Sequence, residues 1–211
     1  MKKELKEKDT AALGTEERIR LAAIKVFTEK GFEATKTRDI AAEAAINIAS
    51  LHYYFRSKEK LFEWVIGETM GRFSGLLDKV LNGPSPLHEK IRAFAPAYID
   101  FLKENPFLPL FILSESQRNL AILDEMMNDR QSLPVLEQQL KELIAAKQIR
   151  PISVHNFMVN LMGLVIFPFL SKSLLQLKTG LEETAYLEML EVRKTLIPEI
   201  IIGHLYFDPP A

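Results

Sequence analysis

Between Thr37 and Arg56 the chain places two short helix-forming stretches on either side of a turn of a few residues, and this spacing restricts the fold more than any other feature. Two helices cross steeply through so tight a turn only where the contact residue of the first is small, and Ala41 meets that need. Ile40, Ala44, Ile46 and Leu51 then fill the angle between the pair and a supporting helix. The pattern is a helix-turn-helix, whose second helix suits the major groove of a duplex. Ala45 occupies the turn, where a left-handed backbone would cost a methyl-bearing residue about 1–2 kcal/mol.

The supporting helix is written just before this segment. Ile19, Ala22, Ala23, Val26 and Phe27 recur at the spacing of one helical face. Thr15 is the expected N-cap, Glu16 and Glu17 suit the positive end of the helix dipole, and Gly31 followed by Phe32 reads as a left-handed C-cap. The second helix is expected to start at Thr35 or Thr37 and the third at Asn47, which caps it. Ser57 caps a fourth, carrying Leu61, Phe62, Val65 and Ile66. A net charge of −1 argues little for a polyanionic partner, but the charge is unevenly spread. Residues 1–62 hold 13 basic against 10 acidic residues, and the remainder holds 14 against 18.

Thr35-Lys36-Thr37-Arg38-Asp39-Ile40-Ala41, followed by Ala45-Ile46-Asn47-Ile48-Ala49-Ser50-Leu51-His52-Tyr53-Tyr54-Phe55-Arg56-Ser57-Lys58-Glu59-Lys60-Leu61, resembles the DNA-binding domain of the TetR family of bacterial repressors. The resemblance runs from about Thr15 to Phe62, with departures at Ala45 and Ala49, where glycine is common, and at His52, where tyrosine is common. It implies that Lys36, Thr37, His52, Tyr54 and Lys58 touch DNA phosphates, and each offers a suitable donor. It also implies that Arg38, Ile48, Ala49, Ser50 and Tyr53 face base edges, where arginine forks onto guanine and apolar groups meet a thymine methyl. Ile48 and Ala49 then predict thymines at the centre of each half-site. Domain bounds follow: an N-terminal arm over 1–14, a helix-turn-helix domain over 15–62, and a helical effector-binding and dimerisation domain over 63–211.

Beyond residue 62, prolines rather than linkers punctuate the chain. Gly83-Pro84-Ser85-Pro86, Asn105-Pro106, Pro109, Leu133-Pro134 and Arg150-Pro151 mark joints between helices, and Pro96 falls inside an apolar helical face. Ser153 caps a helix expected to run to about Leu177, with Gly180 stopping it, and one further helix ends the chain. The fold class is therefore all-α, with about nine helices. The last two helices carry more apolar surface than one core needs, which predicts a homodimer through them; Phe167, Leu170, Leu174, Ile197 and Ile201 are the candidate interface residues. Phe101, Phe111, Met126, Phe157 and Leu161 are candidates to line a pocket for a small hydrophobic effector, since these faces carry few charges.

Several other classes find no support. The chain has no cysteine, and His52, His88, His155 and His204 lack a second ligand at helical spacing, so neither a metal nor a cofactor is expected. No nucleophile elbow, phosphate loop or His-Glu-x-x-His motif marks an enzyme. The charged start, Met1 to Glu7, lacks a following apolar stretch, and Leu161 to Leu170 is too short to span a bilayer; a cytoplasmic protein with no membrane contact is the expectation. The combined reading is a dimeric transcriptional regulator, a repressor released from a palindromic DNA operator by its effector.

Overall fold

The computed structural model describes residues 14–118 and 133–209. The expected arm, apart from Gly14, and the pocket candidate Met126 lie outside the described residues. Ten helices form the described fold: α1 (Thr15–Ala34), α2 (Thr37–Glu43), α3 (Ile48–Tyr54), α4 (Lys58–Leu81), α5 (Leu87–Glu104), α6 (Leu108–Arg118), α7 (Pro134–Ala145), α8 (Val154–Leu170), α9 (Lys172–Thr179) and α10 (Glu183–Leu205). Extended pairing among the described residues is limited to one antiparallel bridge, Ile149 to Tyr206. The all-α expectation holds.

The described residues form two compact units, one of 14–71 with 107–118 and one of 72–106 with 133–209. In the first, α1 packs against α2 and α6, and α2 against α3. Its core takes Ile19, Ala23, Phe27, Ile40, Leu51, Leu61, Phe62 and Phe111, all fully buried or nearly so. Phe27 meets Phe62 edge-on at 5.0 Å between ring centroids, and Phe111 lies 5.7 Å from Phe62. Arg20 is also buried, a costly placement unless its charge is paired. Its Nε and Nη2 donate to the two carboxylate oxygens of Glu17 at 2.9 and 2.6 Å, and Nη1 donates to Thr69 Oγ1 at 3.1 Å. The N-cap of α1 is Gly14 rather than the expected Thr15, which starts the helix and makes no capping bond.

In the second unit, α10 packs against α5 and α8, with α7 beside both of those helices. Phe94, Tyr98, Phe157, Leu161, Tyr186, Leu190 and Ile197 belong to one continuous core. The single helix expected from Ser153 to Leu177 is two, α8 and α9, bent by 61°. Pro168 offers the physical reason. It lacks an amide hydrogen, so the Leu164 carbonyl one turn earlier loses its helical donor. Arg193 Nη2, from α10, donates to that carbonyl at 2.7 Å, and Tyr186 Oη donates to the Pro168 carbonyl at 3.3 Å. Ser153 and Gly180 act as the sequence predicts: Ser153 Oγ accepts from Asn156 N at 3.2 Å, and Gly180 takes φ 67°. No single described helix is long and apolar enough to cross a membrane.

If Arg193 replaces the donor that Pro168 removes, the two positions are coupled. Arg193→Leu is expected to cost about 1–2 kcal/mol in denaturant unfolding. In a Pro168→Ala background, where the amide returns, that cost should shrink by about 1 kcal/mol. Additive losses would show that the bond is incidental.

Candidate nucleic-acid interface

The turn between α2 and α3 is built by backbone geometry. Ile46 N donates to Ala41 O at 3.0 Å and Ala45 N to Ala42 O at 3.2 Å, a nested pair that closes a helix around one left-handed residue. That residue is Ala45, at φ 52°. The conformation is the one at which a side chain costs most, so alanine here carries the strain anticipated from the sequence. Asn47 then starts α3, its Oδ1 accepting from Ala49 N at 2.8 Å. At the start of α2, Lys36 N donates to Asp39 Oδ2 at 3.4 Å and Asp39 N donates to the Lys36 carbonyl at 2.9 Å, and the Lys30 ammonium, 2.9 Å from Asp39 Oδ2, is the main influence holding that carboxyl below its usual range.

Of the seven residues of α3, only Leu51 is buried. Ile48, Ala49, Ser50, His52, Tyr53 and Tyr54 are all exposed, Tyr53 at 85%. All the predicted base-facing residues of α3 therefore stand on a free surface. Tyr53 and Tyr54 meet edge-on at 5.6 Å. Lys36 and Arg38 are exposed, and Thr37 is half-buried at the start of α2. Lys58 differs from its expected role: its Nζ donates to Phe32 O at 2.8 Å and Glu33 O at 3.2 Å, and it lies 4.3 Å from the Phe32 ring centroid. It clamps the end of α1 with two of its three ammonium donors. Arg56, exposed two residues beyond the end of α3 and engaged by no described residue, is a further cation at this surface to which the resemblance gives no role.

The other candidate residues separate. Phe111 belongs to the aromatic core of the first unit, whereas Phe101, Phe157 and Leu161 belong to the second, so the pocket candidates are not brought together in one unit. Concavities of about 570 and 550 Å³ occur in the second unit, and none of the described candidates lines either. Among interface candidates Phe167, Leu170 and Leu174 are exposed, but Ile197 is fully buried and Ile201 is 8% exposed. Those two are core residues, a correction to the sequence expectation. The exposed apolar positions of α10 are instead Leu187, Val192, Leu196 and Ile200, and Val159 joins Phe167 on α8.

Residues 19–65 match the model of the bacterial regulatory proteins of the TetR family. Over 162 residues the chain is 22% identical to the probable helix-turn-helix transcriptional regulator YttP of Bacillus subtilis, covering 75% of this chain and 78% of that protein. A crystal structure of a linker-substituted HlyIIR mutant superposes with a TM-score of 0.60 at 25% identity, covering 92% of this chain and 98% of that one. The regulator FadR of Bacillus subtilis, solved with stearoyl-CoA, shares the fold with a TM-score of 0.55 at 18% identity over 85% of this chain and 96% of its own.

Strain at Ala45 gives a direct test. Ala45→Gly relieves the left-handed penalty while adding disorder to the unfolded chain, and a net gain of about 0.5–1 kcal/mol in unfolding free energy is expected. A loss of stability would mean that the turn does not hold this conformation in solution.

Proposed function

Because this chain belongs to the TetR family of bacterial transcriptional regulators, we propose that it works as a homodimeric repressor that a small hydrophobic effector releases from a palindromic operator. The observation that carries the DNA reading is the exposure of every α3 side chain except Leu51. Tyr53, Ile48, Ala49 and Ser50, with Arg38 from α2, read base edges. Lys36, Thr37, His52, Tyr54 and Arg56 hold the phosphates that set register. Two such helices must stand about 34–36 Å apart to enter successive major grooves, so the working unit is a two-fold dimer and the operator mirrors it.

The proposed dimer surface combines Val159, Phe167 and Leu170 of α8 with Val192, Leu196 and Ile200 of α10. These apolar side chains are exposed in one chain, and burying them against a second copy removes apolar area from water. The effector acts by preferring one spacing of the two DNA-binding heads, since a ligand that binds both states equally shifts nothing. Helix α4 runs through both units and is the continuous element along which such a preference is expressed. The chemistry throughout is recognition, in a cytoplasmic, non-catalytic protein.

Duplex binding across a salt series tests the DNA reading. Lys36 and Arg56 of both subunits would neutralise about four phosphates, giving a log–log slope of affinity against salt of about −4. A slope near zero would refute it. For the dimer, Ile200→Glu should yield a monomer in sedimentation with its helical circular dichroism intact, whereas Ile197→Glu should lose the fold. A dimer that survives Ile200→Glu would exclude this face.

A further inference from the structure

Lys90, on α5, is a buried cation without a counter-ion. It is 1% exposed, and its Nζ donates to Gln139 Oε1 at 2.7 Å, its one side-chain partner among the described residues. Arg20, the other buried cation among them, is matched by the Glu17 carboxylate at 2.6 Å. Lys90 has no such match: an ammonium carries three donors, and an amide oxygen neutralises none of its charge. Burial alone pulls the amine below its usual range, with no acidic neighbour to oppose it. A buried charge in this state is costly, because one neutral acceptor does not replace the water it has lost.

The tip of this side chain lies behind the wall of the cavity of about 570 Å³. Gln139 belongs to that wall, with Leu87 and His88 from the first turn of α5, Leu143 from α7, and Tyr206 and Phe207 just after α10. Gln139 Nε2 donates one hydrogen to Ser85 O at 2.9 Å, and its second has no acceptor among the described residues. A bonded path therefore runs from the buried ammonium, through the Gln139 amide, to an open donor on a residue of the cavity wall. A cation on the amide oxygen polarises the amide and strengthens that N–H. We propose that this cavity binds a small organic carboxylate with an apolar body, its oxygens accepting from Gln139 Nε2 and its charge offsetting that of Lys90. The first turn of α5 agrees, since the start of a helix favours negative charge. Leu87, Leu143, Tyr206 and Phe207 supply the apolar surface. Glu142, Lys147 and Asp208 also border the cavity, but all three are exposed, and water screens charge at a rim far more than charge beneath the wall. A neutral ligand would leave Lys90 as it stands, and a cationic one would add like charge beside it. This site goes beyond the DNA reading and does not depend on it.

Calorimetric titration of the full-length protein with benzoate, and with benzyl alcohol as its uncharged counterpart, tests the site. The wild type should bind benzoate about tenfold more tightly than benzyl alcohol, the worth of a hydrogen bond assisted by charge. Lys90→Met keeps a long apolar stem and deletes the charge, so benzoate affinity should fall about tenfold. Gln139→Glu keeps the shape of the wall and gives the ammonium an internal counter-ion. Its melting temperature should rise above that of the wild type, and benzoate binding should be lost to like-charge repulsion. No benzoate binding by the wild type, equal affinity for the alcohol, or unchanged benzoate affinity in either variant overturns the inference. A lower melting temperature for Gln139→Glu would show that the Lys90 charge is already compensated, and would overturn it as well. None of these readouts uses DNA: duplex binding without benzoate binding refutes this site alone, and benzoate binding without duplex binding refutes the regulator alone.

Discussion

Helix α3 is attached to the rest of its unit by one buried side chain, Leu51, and by a left-handed turn at Ala45 that fixes its direction. A helix of seven residues is too short to hold itself together in water, so tertiary anchoring and end-capping must maintain it. Leu51 enters the core shared with Ile40, Phe27 and Ile19, and Asn47 satisfies an amide at the open end. Everything else on α3 is left available to a partner. The strain at Ala45 is the cost of this arrangement, and the nested hydrogen bonds around it over-determine the conformation.

The supporting helices are tied to one another by polar and aromatic contacts. Arg20 links α1 to α4 through Thr69 while its charge is matched by Glu17, and Lys58 returns from α4 to close the carbonyls at the end of α1. With the aromatic contacts of Phe27, Phe62 and Phe111, these bonds fix the platform on which α2 and α3 stand. Exposed DNA-reading residues gain precision from such a platform, since a recognition helix on a loose base would spend binding free energy on its own ordering.

What the sequence made legible follows from where its patterns are one-sided. The first four helices alternate small, apolar and capping residues at unambiguous spacing, so Asn47, Ser57, Leu51 and the strained Ala45 are all readable from the sequence. The last helices are apolar on several faces, and there the phase is lost. The apolar pattern points to Ile197 and Ile201 as interface residues, whereas the register places them inward and Leu196 and Ile200 outward. Lys58 shows a second limit: a cation at a DNA-facing position in the pattern turned back onto the Phe32 and Glu33 carbonyls, a long-range contact that spacing does not encode. Phe111 shows a third, since α6 packs with a unit distant in sequence.

The proposed DNA reading requires that the outer face of α3 meet base edges in the major groove. Incorporating the photo-crosslinker p-benzoylphenylalanine in place of Tyr53 and irradiating the protein with a duplex recovered by site selection tests it most directly. Covalent adducts to bases within both half-sites are expected. Adducts confined to protein, with none on the duplex, would contradict it.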